Sequence, residues 1–202
     1  MSRTKVDPNK SQSRRVRFVA AGALAVSAML VLGLAGTSRN PLRPLRAFTR
    51  WSLERNGARF LTHDVARLQS SLDDCGPTAL ADLLEISGLP VPSAQILRKL
   101  SATTANGTTL GNLAAAAGNV GLPVFTVRWD PVDIDQLPLP SLVWVERRHF
   151  VVVARRGEGD SLEVHDPAAG HYRISVERFA TIWSGAALVP LDRISPRSGS
   201  DD

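Results

Sequence analysis

The texture of the chain changes once, at Gly121-Leu-Pro123, and that change sets the fold class. Before it, apolar residues recur at helical spacing. After it come six short runs rich in Val, Leu and Ile, at residues 124–129, 141–145, 149–155, 162–165, 172–174 and 186–191. Turn-forming clusters separate these runs, among them Gly157-Glu-Gly-Asp160 and Asp166-Pro-Ala-Ala-Gly170. Helices first and turn-linked strands afterwards predict an α+β domain with an antiparallel sheet, without internal repeats.

The helical half carries its own punctuation. Leu80, Leu83 and Leu84 share one face of a helix whose first turn holds Pro77 and whose stop signals are Gly88 and Pro90. A second short helix fits residues 92–100. Thr109 is placed to cap a third that runs through Leu110 and Leu113 to Gly118. Residues 177–183 predict one more short helix before the last strand.

Upstream of the domain the chain is of another kind. Residues 18–36 carry no charge and consist mostly of Ala, Leu, Val and Gly. That length is close to the roughly 20 residues that cross a bilayer core as a helix. Arg3, Lys5, Lys10, Arg14, Arg15 and Arg17 crowd the preceding segment, so much of the net charge of +5 belongs to a membrane flank. This distribution argues against a nucleic-acid partner, which would need basic residues spread over a folded face. The expectation is a single-pass membrane anchor, with the C-terminal domain exported. The alternatives are a domain on the cytoplasmic face, or secretion after cleavage near Gly33-Leu-Ala35. The organisation reads as a basic flank (1–17), a transmembrane anchor or signal segment (18–36), a juxtamembrane linker with one short helical turn around 45–53 (37–60), the folded domain (61–192) and a disordered tail (193–202).

Cys75 is the one cysteine, which excludes an intramolecular disulfide and a multi-cysteine zinc site. It stands where the Leu80 helix begins, and a helix N-terminus favours thiolate over thiol. Asp73 and Asp74 are candidates to cap that helix, and Gly76 leaves room for a substrate backbone. A nucleophilic thiol needs a base, an orienter for the base and a donor for the oxyanion. His149 opens the strand His-Phe-Val-Val-Val153 and shares a strand face with Val151 and Val153, which suits either a packed core histidine or a base at the strand's mouth. Asp166 is either a turn-forming aspartate before Pro167 or an orienter. Gln69, six positions before the cysteine, is either a surface amide or a donor. His165 points to the opposite face from Asp166 and reads as structural. His63 lies in the lead-in and His171 in a turn, so no metal site and no cofactor are expected. Trp129, Trp144 and Trp183 read as core or cleft-lining residues.

Taken together, Gln69, Asp74-Cys75-Gly76 with Ala79 and Leu80, the His149-Phe150-Val151-Val152 strand and Asp166-Pro167 resemble the bacterial C39 cysteine peptidases, over roughly residues 65–191. The resemblance implies a papain-like fold, with a helical lobe that carries the nucleophile helix packed on an antiparallel sheet. It also implies roles: Cys75 as nucleophile, His149 as general base and acid, Asp166 as orienter of the imidazole and Gln69 as oxyanion donor. The implied partner is a peptide or protein substrate, such as the leader of an exported peptide, with a separate peptide exporter as a candidate neighbour. The best-known members are parts of peptide-exporting transporters, whereas no P-loop follows here, so a Gly-Gly leader specificity is left open. Two other classes share these residues: a silent peptide-binding module and a thiol acyltransferase or transglutaminase-like enzyme.

Overall fold

The computed structural model describes residues 42–61, 66–146 and 148–193. The chain divides after Pro44, and the second unit, from Leu45 onward, carries the sheet and the helices packed on it. The expected membrane segment at 18–36 and its basic flank lie outside the described residues, as do His63 and the tail beyond Arg193. Among the described residues no helix is long and apolar enough to cross a membrane.

Seven strands form one antiparallel sheet: β1 (Arg59–Phe60), β2 (Val124–Arg128), β3 (Ser141–Val145), β4 (His149–Gly157), β5 (Ser161–Asp166), β6 (Gly170–Ser175) and β7 (Trp183–Pro190). Their spatial order is β1-β6-β5-β4-β3-β7-β2. All six strands expected from the sequence are present, and the α+β architecture with helices on an antiparallel sheet holds. The seventh, β1, is a two-residue edge strand paired to Arg173 and Tyr172 of β6.

Side-chain alternation along the strands builds two cores. Leu142, Phe150, Val152 and Leu188 face the helices Cys75–Ile86, Ala94–Leu100 and Leu110–Asn119. Val143, Val151, Val153, Val164 and Val189 face the other way, onto Phe179, Tyr172, Trp183 and the 3-10 segment Pro131–Gln136. Both faces are therefore covered, which explains why β3 and β4 read as continuous apolar runs rather than alternating ones.

The helix ends follow local chemistry. The Thr109 hydroxyl accepts a hydrogen bond from the Asn112 N–H at 3.1 Å, as its position predicts, and Ser93 does the same for the Ala94–Leu100 helix. Gly88 adopts φ +73, the left-handed conformation that stops the Cys75–Ile86 helix at little steric cost. The expected helix at 177–183 is shorter, Val176–Ala180, because Trp183 already belongs to β7.

The stretch read as linker contains, from Arg43, a 13-residue helix ending at Arg55 rather than a single turn. Its arginines supply the docking. The Arg50 guanidinium lies 3.8 Å from the centre of the Phe60 ring and donates to the Ala169 carbonyl at 3.3 Å, while Leu53 packs on the core.

Leu80, Leu83 and Leu84 have no exposed surface, so the Cys75–Ile86 helix is anchored by its apolar face. Each such side chain contributes about 1.5–3 kcal/mol by burial. Leu83→Ala is expected to lower stability by about 2–5 kcal/mol, read as a lower denaturation midpoint at unchanged m-value.

Candidate active site

The site forms where the helical layer meets the end of β4. Cys75 is the first residue of its helix and belongs to the core on that side, with 8% of its surface exposed. His149 is the first residue of β4, and Asp166 the last of β5, on the opposite face of the sheet. The imidazole reaches round the strand end to the Cys75 sulfur, near enough for each group to shift the other's proton affinity. Its Nε2 lies 2.8 Å from Asp166 Oδ1, so Nδ1 is the nitrogen left for the thiol. Three residues from distant parts of the sequence thus meet at one place.

Asp166 does two things with one oxygen. Oδ1 also accepts the Ala168 N–H at 2.7 Å, so the same oxygen closes its own turn and contacts the imidazole. Its carboxyl group is buried against the ring, with 4% of the residue exposed.

The electrostatics of the pair run in opposite directions. Burial pushes the Cys75 thiol up, but the His149 hydrogen bond and charge, then the Phe150 and Gly76 backbone N–H groups, outweigh it and hold the thiol below its usual range. For His149, burial disfavours the cation, and the Asp166 charge and hydrogen bond followed by Cys75 override it, raising the ring to about 10. Both shifts favour a thiolate beside an imidazolium. The sign for stability follows: the His149 contribution is complete below the unfolded value near 6.5 and fades as pH rises through about 10.

Gln69 reaches the site through its backbone and the adjacent loop. Its N–H donates to the Pro167 carbonyl at 2.9 Å, tying it to the turn after Asp166. Its side-chain Nε2 donates to the Ser71 carbonyl at 3.0 Å, four residues ahead of the thiol, and only 7% of the residue is exposed. An amide nitrogen carries two hydrogens, so one donor remains. The N–H of Cys75, first in its helix, has no acceptor four residues back and is the second such donor.

The expected capping of the helix start by Asp74 is not what the structure shows. Asp74 occupies the N-cap position but makes no side-chain cap hydrogen bond. Ser70 and Arg98 take its carboxylate instead, and Arg98 also holds Asp73 Oδ2 at 2.7 Å and the Ser71 hydroxyl at 3.3 Å. The Asp73 carboxyl is drawn down to about 2 by that Arg98 bond and by Ser71. Arg98 therefore fixes the loop that delivers Cys75, a role with no local sequence signal beyond a basic residue in a helix's last turn. Gly76 is required by the fold itself: a Cβ there would sit 2.5 Å from Thr108 Cγ2 and 3.3 Å from Leu113 Cδ1.

Beside the thiol lies an open cleft of about 380 Å3, walled by Leu72, Asp73, Gly107, Trp144, Arg148 and Phe150. Trp144 stacks on Phe150 with ring centres 6.4 Å apart, whereas Trp183 is buried in the core. Leu72 is 69% exposed, an apolar side chain standing at the cleft rim.

A family model described as the Peptidase C39 family matches residues 64–194. The chain belongs to this family. It is 32% identical over 130 residues to an uncharacterized protein of Methanothermobacter marburgensis, covering 64% of this chain and 90% of that one. It is also 34% identical over 134 residues to the pediocin PA-1 transport/processing ATP-binding protein PedD of Pediococcus acidilactici. That match covers 63% of this chain but only 18% of the much longer transporter. Among solved structures, a double glycine motif protease from an AMS/PCAT transporter, crystallised with the leader peptide, superposes with a TM-score of 0.57 at 26% identity, covering 62% of this chain and 89% of that one. The C39 peptidase fold is thus shared, and the family's characterised members are cysteine peptidases.

The thiol can be interrogated directly. Alkylation of Cys75 by iodoacetamide is expected to persist below the ordinary thiol range and to fall as pH drops through the lowered value. In His149→Ala the burial effect is left opposed only by the backbone N–H groups, so the midpoint of the alkylation profile should move up.

Proposed function

We propose that the chain is a cysteine peptidase that cleaves exported peptides, leader peptides among them, while tethered to a membrane by residues 18–36. One observation carries the catalytic part: the His149 ring bridges the Cys75 sulfur and the Asp166 carboxylate. The uncharged run at 18–36 with its basic flank supports the tether and an exported domain. Family membership and the likeness to a protease crystallised with a leader peptide support the substrate class, and the transporter relative supports a peptide exporter as a neighbour.

Each residue has a step. The Cys75 thiolate attacks the peptide carbonyl carbon, forming the C–S bond. The oxyanion that develops is met by the Cys75 N–H and the spare Gln69 Nε2 hydrogen. His149 Nδ1 gives its proton to the leaving amine as the C–N bond breaks. The neutral ring then takes a proton from water, whose oxygen attacks the thioester. Collapse of that adduct releases the carboxylate product and returns sulfur and imidazole to their starting state. Asp166, bound to Nε2, keeps the ring turned toward sulfur throughout.

The test is incubation of the protein with peptide libraries and mass-spectrometric reading of the products. The wild type is expected to give two fragments whose masses sum to substrate plus one water, and Cys75→Ala none. Gln69→Ala should lower kcat by about 10²–10³-fold, the usual cost of one oxyanion donor. Identical product patterns for wild type and Cys75→Ala would leave a peptide-binding module, and products carrying an added amine would assign acyl transfer instead.

A further inference from the structure

A second cluster of chemistry-bearing side chains lies on the helix-facing side of the sheet, away from the cleft. His165 of β5 and His171 of β6 are directly paired across the two strands, and their rings stack with centres 3.5 Å apart and planes 13° from parallel. Facing them is Asp82, on the Cys75–Ile86 helix and only 3% exposed. One potential ligand atom from each of the three lies within 4.8 Å of the others. Arg67 takes Asp82 Oδ1 at 3.2 Å, whereas Oδ2 is buried without a hydrogen-bond partner among the described residues.

We propose that Asp82, His165 and His171 form a binding site for one divalent transition-metal ion of the Zn2+ class. Two imidazoles and a carboxylate suit such an ion, and oxygen-seeking Mg2+ or Ca2+ poorly. In a tetrahedral zinc site, bonds of about 2.0–2.2 Å place ligand atoms roughly 3.3 Å apart. Separations within 4.8 Å close to that value by rotation of the three side chains. The rings must turn out of their stack so that one nitrogen of each points at a common centre. Around them is an open pocket of about 370 Å3, bordered also by Glu85 and Glu163, with space for a water as fourth ligand. Glu163 itself is engaged by Arg155 at 2.9 Å and Arg173 at 3.5 Å, so it is not counted among the ligands.

The position gives the ion a purpose. Asp82 lies two helical turns below Cys75 on one helix, and His165 immediately precedes Asp166 on β5. An ion held by both would pin the helix that carries the thiol to the strand that carries the imidazole's orienter. The sequence conceals this, because Asp82 is 83 positions from His165 and His171, which reads as a turn residue, lies inside β6.

The experiment uses the full chain carrying Cys75→Ser, so that thiolate cannot take the ion. After chelator treatment it is titrated with Zn2+ by calorimetry, with metal content read by mass spectrometry and thermal unfolding recorded with and without the ion. The expected result is one Zn2+ per chain and a raised Tm. His165→Ala, at a half-buried position, and Asp82→Asn should each weaken binding about tenfold or more and cancel the Tm shift. Should Asp82→Asn fail to fold, His165→Ala decides alone. Undiminished binding in His165→Ala, or no Zn2+ uptake in the Cys75→Ser chain, overturns the proposal. Neither outcome depends on whether the protein cleaves peptides.

Discussion

The hydrogen bond between His149 Nε2 and Asp166 Oδ1 is the contact on which the site depends, since it turns the imidazole around the end of β4 toward a thiol in another layer. Cys75 and the Asp166–His149 pair belong to opposite faces of the sheet, so no single element could present them together. The sheet supplies a rigid edge and the Cys75–Ile86 helix supplies a buried apolar anchor, and the geometry follows from packing the one on the other. Asp166 in turn is held by its own turn through the Ala168 N–H, and the turn by Gln69 through Pro167.

That chain of support reaches further than the catalytic elements. Arg98 clamps Asp73, Asp74 and Ser71 from a neighbouring helix, and Arg46 and Arg50 reach the Gln69 and Ala169 carbonyls from the Arg43–Arg55 helix. Arginines thus do at the rim what leucines do in the interior. Their planar, many-donor heads suit several carbonyl and carboxylate oxygens at once, which a lysine would not match.

Much of this could be read from the chain alone, for identifiable reasons. The nucleophile helix announces itself by Pro77, the leucine spacing and Gly88, all local signals. Thr109 as a cap is likewise local. The strands showed because each is short, apolar and bounded by turn residues. Gln69, His149 and Asp166 were legible only together, since each has an ordinary structural use, and the structure shows that Asp166 keeps its ordinary use as well. What stayed hidden is what depends on three-dimensional adjacency. The Arg43–Arg55 helix docks through its arginines while Leu45, Phe48 and Trp51 stay largely exposed, Asp74 is drawn away from capping by a partner 24 residues on, and Asp82 meets two histidines from the far end of the chain.

The central claim is that His149 rests as an imidazolium beside a thiolate, against the desolvation that burial imposes. Nitrogen-15 NMR of the protein labelled in its histidines, followed across pH, reads this state directly. The expected result is a His149 ring protonated on both nitrogens through pH 8 that loses its proton only near pH 10. A His149 ring that titrates near 6.5, as a solvated histidine does, would contradict it.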